Sequence, residues 1–311
     1  MTDSNVFVGI DICLAHLDVF ISNLNQTHCF DNNPSGVSQL VTLLSKVQPT
    51  LVALESTGGL ERLVINELNK AHISIARVNP RQVRAYAVAL GKAKTDVLDA
   101  KVLAHFAQNV RPQIYHPPDE DSQRLTDLVT RRRQLVEMQV AEKNRLCRCA
   151  LTIKPEIEEH IDYLQLKIEQ LNRQIEKLTK SQHLVAKQNI LLSAPGIGSA
   201  TCAVCLAELP ELGNLTDKQI ARLVGVAPIN RDSGQFRGKR MIEGGRAHVR
   251  AALYMATLVA TRHNPTIRDF YQRLLDRGKL KKVALTACLR KFLIILNAMI
   301  RDGKPWQYQN S

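Results

Sequence analysis

Four carboxylates, Asp11, Glu55, Asp96 and Asp99, stand at the ends of expected structural elements within the first hundred residues of this chain. Asp11 terminates the apolar run Val6-Phe7-Val8-Gly9-Ile10, and Glu55 terminates Leu51-Val52-Ala53-Leu54. Each run reads as a buried strand, and a charge at its end needs a partner, because an unpaired carboxylate is costly to remove from water. Asp96 and Asp99 are three apart at the start of a helix whose apolar stripe is Leu98, Val102, Leu103 and Phe106, so both acids share one helical face. Such oxygen donors suit a hard cation, Mg²⁺, which keeps waters and substrate phosphates as its remaining ligands. Two such ions can clamp the attacking and leaving oxygens of a phosphoryl transfer. The plainer alternative has Asp96 capping a helix, Asp99 solvated and the other two merely ending strands.

A second candidate for chemistry lies downstream. Residues 225–246 contain Arg231-Asp232-Ser233-Gly234, then Arg237-Gly238-Lys239-Arg240 and Gly244-Gly245-Arg246, and are expected to form a flexible polar loop rich in cations. A serine held among Arg and Lys can attack a phosphodiester, since neighbouring cations stabilise both the alkoxide and the transition state. Spacing alone leaves the ordinary Ser-Gly turn open. Arg231, Arg237, Lys239, Arg240 and Arg246 are the candidate phosphate contacts. Upstream, Pro195-Gly196-Ile197-Gly198 reads as a tight hairpin between two helices, where Gly196 and Gly198 would offer backbone N–H groups to phosphate. Its alternative is a plain helix-helix turn.

The elements that must position these groups alternate in type. Strands are expected near 6–11, 17–23 and 27–31, a helix over 35–47, a strand at 50–55 and a helix at 60–71. A strand at 73–78 and a helix from Pro80 to about Leu90 follow. A three-stranded meander followed by alternating α and β elements matches the ribonuclease H-like architecture, in which the first and fourth strands are neighbours. That arrangement would bring Asp11 to Glu55, with the helix of Asp96 and Asp99 packed over them.

Beyond His116-Pro117-Pro118 the strand signals give way to long helices, so the expected domains are 1–118, a helical coiled-coil connector at 119–186 and a mainly helical domain at 187–311. A basic helix over 121–149 carries Arg131-Arg132-Arg133, either a solvated face or a nucleic-acid contact. Ile157, Ile161, Leu164, Ile168, Leu171, Ile175 and Leu178 alternate spacings of four and three, which argues for a coiled-coil hairpin or a dimer seam. Further helices are expected near 247–262, 266–277 and 280–301.

Composition sets the outer bounds. The chain has 311 residues, 45% of them hydrophobic, which is enough for real cores and excludes a disordered chain. Forty-two Lys and Arg against 29 acids give a formal charge of +13, which favours a polyanionic partner. No uninterrupted apolar stretch of about 18 residues and no signal-peptide pattern is present, so a cytoplasmic location without membrane contact is expected. Seven scattered cysteines point to reduced thiols, and Cys202-Ala203-Val204-Cys205 lacks the second pair that a structural zinc would need.

Taken in order, Val8-Gly9-Ile10-Asp11, Leu54-Glu55-Ser56-Thr57-Gly58-Gly59, Val78-Asn79-Pro80-Arg81-Gln82-Val83-Arg84, Lys94-Thr95-Asp96-Val97-Leu98-Asp99-Ala100, Pro195-Gly196-Ile197-Gly198 and Asp232-Ser233-Gly234 resemble one family over nearly the whole chain. These are the DEDD-type insertion-sequence transposases related to the Piv DNA invertase, the bridge-RNA-guided or seek-RNA-guided recombinases. The resemblance implies a RuvC-like N-terminal domain with Asp11, Glu55, Asp96 and Asp99 as Mg²⁺ ligands, and Ser233 as the nucleophile that forms a phosphoserine linkage to DNA. It further implies donor and target double-stranded DNA and a structured noncoding guide RNA as partners, and a homo-dimer or homo-tetramer joined through the coiled-coil region. Two rival functions use less of the chain. A metal-dependent nuclease or junction resolvase working with water needs the acids but not Ser233, and a non-catalytic nucleic-acid binder needs neither.

Overall fold

The computed structural model describes residues 5–91, 96–229, 232–233, 236–238 and 241–307; the side chains of residues 96–98, 182–183, 232–233 and 236–237 also lie outside the description. Two compact units emerge, Met1–Pro118 and Asp119–Ser311.

In the first unit, β1 (Phe7–Ile12), β2 (His16–Ile21) and β3 (Gln26–Asp31) form an antiparallel meander, and β4 (Leu51–Glu55) and β5 (Ile75–Val78) extend the sheet in parallel to the order β3-β2-β1-β4-β5. This is the ribonuclease H-like topology expected from the strand pattern, with β1 and β4 adjacent. Both central strands are apolar on both faces because helices cover each side. On one face Val8, Ile10, Leu17, Val19 and Ile21 pack against α1 (Pro34–Val47) and α2 (Arg62–Lys70). On the other, Phe7, Ala53 and Ala76 meet Val83 of α3 (Pro80–Ala89) and Val102, Leu103 and Phe106 of α4 (Asp96–Val110). Asn33 and Asn79 cap α1 and α3, each followed by a proline whose fixed φ suits the first helical turn.

One glycine sets how closely α4 lies on the sheet. A Cβ on Gly9 would stand 2.0 Å from the Ala100 carbonyl oxygen and 2.5 Å from the Ala104 nitrogen, so the helix backbone rests directly on β1. Only a residue without a side chain permits that approach.

The second unit is helical. α5 (Glu120–Leu146) and α6 (Lys154–Thr179) form a hairpin closed by Leu135, Leu164 and Ile168. The pairs Arg132–Asn172, Gln139–Gln165 and Glu142–His160 step in opposite directions along the two helices, so they run antiparallel. The apolar repeat of α6 thus finds a partner within the same chain. α7 (Gln182–Leu192), α8 (Ser199–Glu208), α9 (Asp217–Val224), α10 (Ala247–His263), α11 (Pro265–Asp276) and α12 (Lys281–Asp302) enclose a second core around Leu253, Leu289, Phe292 and Leu296. α12 is long and apolar enough to cross a membrane by length and composition, yet half of that stretch is buried, with Phe292 and Leu296 wholly enclosed.

The 225–246 segment departs from the loop expected of it. β6 (Pro228–Ile229) pairs with β9 (Met241–Ile242), and β7 (Asp232–Ser233) with β8 (Phe236–Arg237), giving two short antiparallel ladders. Two-residue strands are too short to show an alternating pattern, which is why the sequence reads as loop.

Candidate active site

Register brings the two strand-end acids together. Ile10 pairs with Leu54 in the parallel β1–β4 ladder, so Asp11 and Glu55, the next residues, emerge side by side. The Gly9 contact then places Ala100, and with it the preceding Asp99, over the same end of β1. Glu55 is half-buried, and its carboxyl is pushed above the ordinary carboxylate range by desolvation first, then by the charges of Asp11 and Asp99, with Arg84 of α3 pulling the other way. Asp11 accepts a hydrogen bond from the Ile12 N–H at 3.0 Å. Among the described residues, no three His, Cys, Asp or Glu side chains converge closely enough to hold one ion. Asp96 opens α4, one helical turn before Asp99, and its side chain lies outside the described residues. The fit to a cation therefore rests on donor chemistry: Glu55 lies in the field of two further described carboxylates and is disfavoured as an anion, a charge that a hard divalent ion would neutralise.

In the second unit the backbone of Ser233 lies in β7, opposite Phe236, while its side chain and that of Arg237 lie outside the described residues, as do Arg231, Lys239 and Arg240 entirely. Arg246, expected to touch phosphate, is already committed. Its guanidinium makes a bidentate pair with Glu211 at 2.6 and 2.6 Å and donates to the Glu208 carbonyl at 2.8 Å. Such a fork-to-fork pair fixes the entry to α10. The two hairpin glycines have different tasks. Gly196 adopts φ +111° and a Cβ there would meet the Ala256 carbonyl and Ala260 Cβ at 2.8 Å, so it is a packing glycine. Gly198 opens α8 with an ordinary φ of −94° and open space where a Cβ would go. Cys202 and Cys205 are buried thiols whose pKa burial pushes up to about 12, the opposite of what a metal-ligating thiolate requires.

Comparison with known proteins converges on one group. A family model for DEDD transposases of the IS110 type matches residues 8–155, and one described as the transposase IS116/IS110/IS902 family matches residues 188–272. The pilin gene-inverting proteins of Moraxella lacunata and Moraxella bovis are each 28% identical over 315 residues, spanning 97% of this chain and 98% of theirs. The chain belongs to the IS110-type transposases. An insertion element IS900 protein of Mycobacterium paratuberculosis is 36% identical over 119 residues, which is 36% of this transposase and 29% of that protein. Among solved structures, Thermus thermophilus RuvC in complex with a Holliday junction substrate is similar over 36% of this chain and 99% of its own, with 15% identity and a TM-score of 0.28.

Several residues near the acids of this transposase were given no role at the site by the sequence. Asp18 lies directly across from Asp11 in the β1–β2 ladder and pairs with His16 at 3.3 Å, whose other ring nitrogen is 3.0 Å from the Cys13 sulfur. Arg84 reaches the field of Glu55 from α3. Glu61, at 1% exposure, is among the few buried charged or polar residues. Cross-strand partners depend on register, and no local pattern announces them.

The contrast between the two hairpin glycines is testable by denaturant unfolding. Gly196→Ala should lose about 2 kcal/mol or more, since alanine there meets both a left-handed backbone and a backbone oxygen. Gly198→Ala should lose less than about 1 kcal/mol. Equal losses would contradict the packing role of Gly196.

Proposed function

We propose that this transposase is the RNA-guided recombinase of an insertion sequence, which cuts and rejoins DNA through a phosphoserine at Ser233 assisted by Mg²⁺ held by Asp11, Glu55, Asp96 and Asp99. The observation that carries the reading is that Asp11 and Glu55 leave neighbouring strands side by side, with Asp99 of α4 near enough for its charge to act on Glu55. Ser233 Oγ attacks a DNA phosphate: one P–O bond forms, another breaks, and the released strand end takes up a proton as the serine gives one up. The number of phosphate esters is unchanged. Attack by a second strand end on the phosphoserine therefore restores the diester with no nucleotide cofactor. Bound Mg²⁺ would supply positive charge to the nucleophile and to the phosphate oxygens as charge develops there.

The formal charge of +13 supports a grip on nucleic-acid backbones, with base reading delegated to a guide RNA that pairs with donor and target DNA. The pilin gene-inverting relatives, whose name describes inversion of a gene, support rejoining over simple cutting. The α5–α6 hairpin is the element through which a dimer or tetramer would assemble.

Covalent trapping tests the mechanism. Protein, the element's RNA, Mg²⁺ and labelled DNA are incubated, denatured and resolved for wild type, Ser233→Ala and Asp11→Ala. An adduct in wild type that both substitutions abolish is the expected result. DNA cut without an adduct, and cut equally by Ser233→Ala, would replace the recombinase with a hydrolytic nuclease.

A further inference from the structure

We infer that Glu61 is a positioning residue for the carboxylate centre, clamping the chain that leaves β4 so that Glu55 stays turned toward Asp11 and Asp99. The inference rests on the reading of those acids as cation ligands.

The geometry is specific. One carboxylate oxygen of Glu61 accepts from the Thr57 N–H at 3.2 Å, the Thr57 hydroxyl at 2.8 Å and the Gly59 N–H at 2.8 Å. The other oxygen pairs with Arg77 at 2.8 Å, and the Glu61 side chain is only 2% exposed. Arg77 belongs to β5, where it stands opposite Leu54, the residue before Glu55. The Ser56 N–H in turn reaches the Val78 carbonyl at 3.3 Å. A single buried acid thereby ties the segment immediately after Glu55 to the neighbouring strand.

A packing role alone would not call for a charge here, because an apolar side chain fills space without the cost of desolvating an ion pair. A carboxylate accepting three donors on one oxygen does what an apolar group cannot: it fixes the orientation of a turn. The turn needs fixing. Gly58 and Gly59 have φ of +77° and +124°; a Cβ on Gly58 would meet nothing within 4 Å and one on Gly59 only the Arg62 Nε at 3.8 Å, so little packing holds the turn. Glu55 is the last residue of β4, so the course of this turn decides how the chain leaves it. The same contacts exclude another role for the glycines. Two of the amides that this turn would present to a phosphate already bind Glu61, so it braces Glu55 and does not cradle substrate.

The test uses the full chain with Mn²⁺ as the probe, read as loss of the free-ion electron paramagnetic resonance signal. In Glu61→Gln the side-chain amide must point a donor either at Arg77 or at Thr57 and Gly59, and the half-saturating Mn²⁺ concentration should rise about tenfold. In strand-transfer assays the Mg²⁺ requirement should rise in parallel, with the rate largely restored at saturating Mg²⁺. Thr57→Val, which removes one donor and leaves the fold unburdened, should give a smaller rise and serves if Glu61→Gln does not fold. A folded variant of either kind with unchanged Mn²⁺ affinity, while Glu55→Gln loses it, overturns the positioning role. Unchanged affinity in Glu55→Gln as well would instead overturn the carboxylate centre itself.

Discussion

Gly9→Ala is expected to destabilise the first unit by about 3 kcal/mol or more and to abolish strand transfer. The added methyl would lie 2.0 Å from a carbonyl oxygen and 2.5 Å from a backbone nitrogen of α4, contacts that no rotation of a side chain can relieve. Either α4 lifts from the sheet or β1 bends away from it, and both motions take Asp99 away from Asp11 and Glu55. Denaturant unfolding of the full chain measures the first effect. Mn²⁺ binding by the folded remainder separates the loss of the acid centre from the loss of stability. A Gly9→Ala protein as stable and active as wild type would mean that α4 does not rest on β1 at this point.

Glu55→Gln is expected to make the protein more stable at neutral pH in the absence of divalent ions, and to reduce strand transfer on the order of a hundredfold or more. The two effects have one cause. Because the carboxyl of Glu55 titrates above its unfolded value, its ionised form opposes folding at pH above the folded-state pKa. That penalty fades as pH falls through the raised pKa and is gone below the unfolded one. Thermal melts should therefore show a gap in favour of Glu55→Gln near neutrality that closes on acidification. Added Mg²⁺ should stabilise wild type and close the gap from the other side, since binding to the folded form alone raises its stability. A variant that melts below wild type in metal-free buffer at neutral pH would contradict the crowding of the three acids.

The sheet was legible because its central strands announce themselves. Val6 to Ile10 and Leu51 to Leu54 are continuous apolar runs, which a strand covered on both faces requires, and each ends in a single acid. Asp99 was legible through its spacing from the apolar stripe of α4, although the contact that positions it, through Gly9, was not. Whatever depends on register or on residues far apart in sequence escaped. Arg246 looked like a free cation because its partner Glu211 lies 35 residues away. Glu61 belongs to no sequence motif, and its pairing with Arg77 spans the whole of α2. The short ladders around Ser233 carry no periodicity at all.

The contact between Gly9 and α4 has an evolutionary corollary. Asp99 and Ala100 are adjacent, so the residue offered to chemistry and the residue seated on the strand are a single step apart. The position of the acid is consequently set by a local lock between β1 and α4. A single residue gained between Asp99 and Ala104 would rotate the acid by about a quarter turn and end its usefulness. Descendants of this transposase should thus hold the length from Asp99 to Ala104 constant.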